Sequence, residues 1–173
     1  MKKTLLVFLF VSILACKSDN QDQVTIVEEK PVNEFIVQLN YKSNFDDEFK
    51  LSLNNIKVNE FQKKNIQIIE TVAKTTNLDK IVANFGEDFS RSFTINFGMK
   101  KVKEIEIQSI DLTYGTNNLV VSPEELEKYF RFSKYITLDL DTKTLKTQKV
   151  DGKHVPLIFL NQTAINILKK GIK

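Results

Sequence analysis

At 173 residues and 42% hydrophobic, the chain is long enough to bury one substantial core, and it suits a single domain. Its 25 basic and 22 acidic side chains leave a net charge of +3, too weak a field to attract nucleic acid. With one cysteine and one histidine it has no material for an intrachain disulfide or a Cys/His metal centre, and it lacks tryptophan, the favoured platform for stacking on sugars.

Lys2 and Lys3 precede an apolar run from Leu5 to Leu14, and Ile13-Leu14-Ala15-Cys16 closes that run at the sole cysteine. A positive start, a short apolar stretch and a small residue at the cleavage point are the parts of a secretory signal. The run is too short for a bilayer, which takes about twenty apolar residues. The segment resembles a bacterial lipoprotein signal peptide ending in a lipobox; the plainer alternative is an ordinary cleaved signal with an incidental thiol. The resemblance implies a signal peptide over residues 1–15, acylation of Cys16 and an effectively permanent anchor. Once Lys2 and Lys3 are lost, the mature chain is close to neutral, and no thiol remains for redox or metal chemistry. Residues 16–31 are polar and lack periodicity, as expected of a tether. Lys17, rather than an aspartate, follows the cysteine, which in lipoprotein sorting implies the outer membrane. The acidic residues Asp19 and Asp22 behind it are similar to the tag some Gram-negative bacteria use for surface display.

From Asn33 the hydrophobic period is two. Phe35, Val37, Leu39 and Tyr41 predict a half-buried strand, Asn44 to Asp47 a turn, and Phe49, Leu51 and Leu53 a second strand broken at Asn54-Asn55. Val58 to Lys64 reads equally as a helical turn or a loop. Strands follow at Ile66 to Val72, at Ile81 to Phe85 and at Phe93 to Phe97. From Lys103 to Tyr114, Ile105 and Ile107 hold one phase while Ile110 and Leu112 hold the other, so a β-bulge or an edge kink is required at Gln108-Ser109 if both sets are to face the core. Ser122-Pro123-Glu124-Glu125 predicts a capping box and a short helix over 123–130. Ile136 to Leu140, Leu145 to Val150 and Val155 to Leu160 complete the strands, with Asp151-Gly152 as a hairpin turn and the last strand central. Ala164 to Lys169 fits a final helical turn or a strand. Seven to nine short strands with one helix predict an all-β sandwich occupying residues 32–173 as a single domain.

Phe45-Asp46-Asp47-Glu48-Phe49-Lys50-Leu51 looks like the acidic turn that opens certain bacterial jelly-roll modules. Phe93-Thr94-Ile95-Asn96-Phe97-Gly98 with Ile105-Glu106-Ile107-Gln108-Ser109-Ile110-Asp111-Leu112 resembles their closing pair. Together these are similar to galactose-binding-like jelly-roll β-sandwich domains. That resemblance implies a fold and a tendency to bind sugars or proteins, and no residue-level site.

The candidate chemistry is thin. His154 has no motif around it. Asp46 and Asp47, or Asp139 and Asp141, offer oxygens for a structural calcium, against the plainer reading of solvated turn positions. Tyr114, Tyr129 and Tyr135 lie near the expected helix and are the candidate ligand-binding aromatics, with Tyr129 and Tyr135 expected to be partly exposed. No catalytic residue and no obligatory cofactor is expected. The chain reads as a lipid-anchored envelope module at the outer membrane, non-enzymatic, that binds a glycan; a protein-assembly subunit of an envelope complex is the alternative, and a hydrolase a remote one.

Overall fold

Alternation sets the architecture. In β1 (Phe35–Ser43) Phe35, Val37, Leu39, Tyr41 and Ser43 are buried, while the residues between them are half-buried. A strand whose side chains point alternately to two faces must lay its apolar face on a second layer. The computed structural model describes residues 32–170; Cys16, the signal segment and the tether lie outside them.

The strands are β1, β2 (Asp47–Lys57), β3 (Lys63–Val72), β4 (Asp79–Asn84), β5 (Ser92–Asn96), β6 (Glu104–Tyr114), β7 (Asn117–Val121), β8 (Phe130–Phe132), β9 (Ile136–Asp139), β10 (Thr144–Thr147) and β11 (Leu157–Leu160). They form two antiparallel sheets, one ordered β4-β1-β6-β10-β9 with β7 also on β6, the other ordered β3-β2-β5-β11-β8. The molecule is an all-β sandwich. β1 pairs with β6 in one sheet while β2 pairs with β5 in the other, and the chain changes layers at β1–β2, β3–β4, β4–β5, β5–β6, β7–β8, β8–β9 and β10–β11. Between the sheets lies an aromatic core. Phe35 and Phe93 meet edge to face at 5.4 Å, and so do Phe49 and Phe97 at 5.3 Å.

The required bulge is present. Asn40 faces Ser109 but Tyr41 faces Ile107, leaving Gln108 as the extra residue, so Ile107 and Ile110 are both buried. A second bulge sits where Asn54-Asn55 breaks the pattern. Leu53 faces Ile66 and Ile56 faces Lys64, and Asn55 takes a left-handed φ of 57°. β2 therefore continues past the break to Lys57.

Other expectations need correction. Ser122 has the extended backbone of a cap but makes no side-chain capping bond, and Glu125 pairs with Lys128 at 3.0 Å instead. The helical segment is a 3₁₀ turn at Pro123–Glu125 running into α1 (Leu126–Tyr129), and Phe130 already belongs to β8. The C-terminal segment is a true helix, α2 (Gln162–Lys169), whose Asn161 cap accepts from the Ala164 amide at 3.1 Å. Its buried residues Ala164, Ile165 and Leu168 fall on one face. The strand after Lys143 stops at Thr147, and Val150 forms an isolated bridge to Lys153 around Asp151-Gly152.

Strand direction sorts the loops onto two ends. At the near end, where the described chain begins, the Phe35 amide donates to the Gly86 carbonyl at 2.8 Å and the Gly115 amide to that of Glu34 at 3.3 Å. The register places the β2–β3 hairpin tip, the start of β5 and the end of β6 at this end too. The start of β2, the end of β5 and the start of β6 occupy the far end.

Candidate functional site

The far end is built around a charge pair. Asp47 shares its phase with Phe49, Leu51 and Leu53, and Lys103 shares the phase of Ile105 and Ile107, so both charges point inward. Lys103 Nζ donates to Asp47 Oδ2 and, at 2.9 Å, to the Phe97 carbonyl. The side chains are 0% and 1% exposed. Asp47 also accepts from the amides of Glu48 at 2.8 Å and Lys100 at 3.2 Å. The backbone of Lys103 is held in turn: its amide donates to Thr147 Oγ1 at 2.8 Å, and that hydroxyl donates to its carbonyl at 3.2 Å.

Burial pushes the Asp47 carboxyl up. The Lys103 bond and charge, with the two amides, more than offset this and hold it below its ordinary value. Burial likewise lowers Lys103, and Asp47 pulls it back only in part. Three donors fill most of the acceptor sites of this carboxylate, and its charge is matched by Lys103. The β5–β6 loop wraps the pair closely: Gly98, at φ 83°, lies where any Cβ would collide with the Asp47 carboxylate.

Over this pair opens a cleft of about 280 Å³, lined by Lys50, Ile69, Asn96, Met99 and Lys100 among others. It continues onto the outer face of the second sheet. There the register sets Gln67, Ser52, Thr94, Phe159 and Arg131 side by side across all five strands. A parallel row, Ile69, Lys50, Asn96 and Leu157, leads directly into the cleft. Phe159 sits between the buried Ile158 and Leu160, so its half-buried ring faces outward. The face carries amide, hydroxyl and cationic groups around one aromatic ring.

No protein-family model, curated protein or solved structure matches this chain.

The three candidate tyrosines do not converge. Tyr129 is 7% exposed and packs inside α1, with Lys128 Nζ 4.8 Å from its ring centre. Its expected exposure is overturned, because a helix of one turn lays this residue against the core. Tyr135 lies in the β8–β9 loop under Lys134 at 5.5 Å. Tyr114 ends β6 at the near end, stacked on Phe89 at 4.5 Å in a separate cleft of about 470 Å³ shared with Lys57, Glu87 and Lys169.

Asp46 and Asp47 also part company. Asp46 is exposed and accepts from the Lys74 amide, while Asp47 points into the core. Lys103 already supplies the positive charge a calcium would bring to Asp47. Asp139 is held by Lys146 at 2.7 Å and by the amides of Asp141 and Thr142. Among the described residues no group of three or more His, Cys, Asp or Glu side chains could hold a metal. His154 Nδ1 lies 3.3 Å from the Met99 carbonyl and its Nε2 is buried without a partner. Among the described residues neither nitrogen reaches a serine or carboxylate, so the parts of a hydrolytic triad do not assemble around it.

Lys103, Lys100 and Phe159 carry the site and were not singled out from the sequence. Lys103 had a readable signal: it is a charge in phase with two isoleucines. Phe159 had none, since both faces of its strand are apolar.

Proposed function

We propose that the protein is a non-enzymatic binding module of the cell envelope, anchored at the outer membrane through lipidated Cys16, that takes a glycan on the outer face of its five-stranded sheet. The observation that carries the glycan reading is the outer-face row of Gln67, Thr94, Phe159 and Arg131, with Ser52 buried among them, together with Asn96 at the mouth of the far-end cleft. Sugar hydroxyls need groups that donate and accept at fixed spacing, which Gln67, Thr94 and Asn96 provide on rigid strands. The apolar face of a sugar ring needs a flat partner, which Phe159 provides. Such a mix of a few placed polar groups around an apolar centre is the general pattern of small-ligand sites. The likeness of the Phe45 to Leu51 and Phe93 to Leu112 segments to galactose-binding-like modules supports the same reading.

A second reading, a protein-assembly subunit, draws support from Ile69 and Met99, 55% and 56% exposed beside the cleft. The deciding experiment uses chain starting at Asp22, since every core residue among the described ones lies between Phe35 and Leu168. A glycan array followed by titration calorimetry should find a saccharide whose binding is lost in Phe159→Ala and Asn96→Ala. Binding that survives both changes, or an array with no hit, overturns the glycan assignment.

A further inference from the structure

The near end carries a projection that glycan binding on the sheet face does not use. Val58 to Gln62 closes the β2–β3 hairpin, and Asn59 shapes it: its Oδ1 accepts from the amides of Phe61 at 2.9 Å and Gln62 at 2.8 Å. This fixed turn holds Phe61 out at 93% exposure and Val58 at 54%. Directly behind the tip, Lys57 and Lys63 face each other across the hairpin. Like charges directly opposite on two strands repel, so the pair is unfavourable unless an anion sits over it. Arg91 and Lys169 line the same cleft as these two lysines. Lys64 adds a fifth cation but is paired with Asp88 at 2.7 Å, and the other acidic groups at this end are Glu60 on the tip, Glu87 on the neighbouring cleft and Glu34, which accepts from the Asn84 side-chain amide at 3.1 Å. The balance at this end stays positive.

We propose that this end of the sandwich docks on an anionic lipid bilayer, with Phe61 and Val58 entering the headgroup layer and Lys57, Lys63, Arg91 and Lys169 facing lipid phosphates. An exposed aromatic at the tip with cations set one step back is the arrangement an interfacial segment needs: apolar area to bury and charge to attract. The exposed apolar tip decides for a bilayer over a soluble anion, since an anion needs only the cations whereas Phe61 and Val58 need an apolar layer to enter. The contact does not need the acyl group, and it is independent of the glycan face.

The experiment is vesicle co-sedimentation of chain starting at Asp22, with phosphatidylglycerol–phosphatidylcholine vesicles set against pure phosphatidylcholine. Sedimentation with the anionic vesicles, released by high salt, is the expected result. Phe61→Ser should weaken it, and Lys57→Glu with Lys63→Glu should weaken it by on the order of thirtyfold or more, the worth of two surface cations. Lys57→Glu alone turns the repelling pair into an attracting one, so it should lower vesicle binding with thermal stability unchanged or raised. Protein that stays in the supernatant with anionic vesicles, or binding that ignores all these changes, overturns the proposal. Phe159→Ala should leave vesicle binding intact, so failure here and failure of the glycan reading are told apart.

Discussion

Lys103 and Asp47 join the two sheets through a buried charge pair at the far end of the sandwich. Asp47 opens β2 in one layer, and Lys103 stands immediately before β6 in the other. Taking both charges out of water is costly, and their attraction recovers that cost only when the remaining donors and acceptors are satisfied. Here the amides of Glu48 and Lys100 and the Phe97 carbonyl satisfy them. The pair thereby pins the loop that forms the rim of the far-end cleft.

Removing one partner strands the other. Asp47→Ala or Lys103→Ala should each lower the unfolding free energy by about 3–5 kcal/mol, because a buried charge is left alone. The double change Asp47→Leu with Lys103→Met, of similar volume and apolar, should recover most of that loss. Urea denaturation of the set measures it. Equal losses in the single and double variants would show that the loop geometry, not the charges, matters.

Acid should act through the same residue. The Asp47 carboxyl lies below its ordinary value when folded, so its contribution is complete above the unfolded value of 3.8 and disappears as pH falls through the folded one. Asp139, lowered to about 2 by Lys146 and the Thr142 amide, and Glu124, lowered to about 2 by hydrogen bonds from its own amide, Ser122 and Lys143, work in the same direction. Stability should therefore drop between about pH 4 and pH 2. Circular dichroism during acid titration should show a shallower drop in the Asp47→Leu, Lys103→Met variant.

Glycines at two turns separate strain from collision. Gly86 and Gly98 both have positive φ, but a Cβ at Gly86 meets nothing within 4 Å while one at Gly98 strikes the Asp47 carboxylate. Gly86→Ala should cost about 1–2 kcal/mol for the left-handed backbone alone. Gly98→Ala should cost clearly more, and the excess should shrink when Asp47 is also changed to Ala. Thermal melts of the three proteins test this.

Two phenylalanines should respond oppositely. Phe93→Ala, in the core, should cost about 3–5 kcal/mol of stability. Phe159→Ala, on the outer face, should cost about 1 kcal/mol and act on ligand binding instead. A large stability loss for Phe159→Ala would place that ring in the core and remove it from the binding face.

For the anchor, the full chain produced in a Gram-negative host should partition with detergent and take up labelled palmitate, and Cys16→Ser should do neither. Membrane association that persists in Cys16→Ser through a high-salt wash would remove the lipidation reading.

Period and phase determine a great deal here without any tertiary knowledge. Alternation located β1, β4, β5 and β9 to within a few residues. The slip between Ile107 and Ile110 called for a bulge or a kink at Gln108-Ser109, and the register resolves it as a bulge at Gln108, because both sets of isoleucines must reach one core. Asp47 was read instead as a solvated turn position or a calcium ligand, because only the pairing of β2 shows that it opens the strand in phase with Phe49. Short elements were not legible: β7 and β8 are strands because β6 and β11 offer them an edge, and α2 is helical because its apolar face has a sheet to cover. Tyrosines close in sequence went to separate places for the same reason, each following the layer its own element joined. A sequence states which way each side chain points along its strand; only pairing between distant strands decides which side chains share a face. The row from Gln67 to Arg131 spans five strands and exists only once they have paired, so the binding face could not be read one strand at a time.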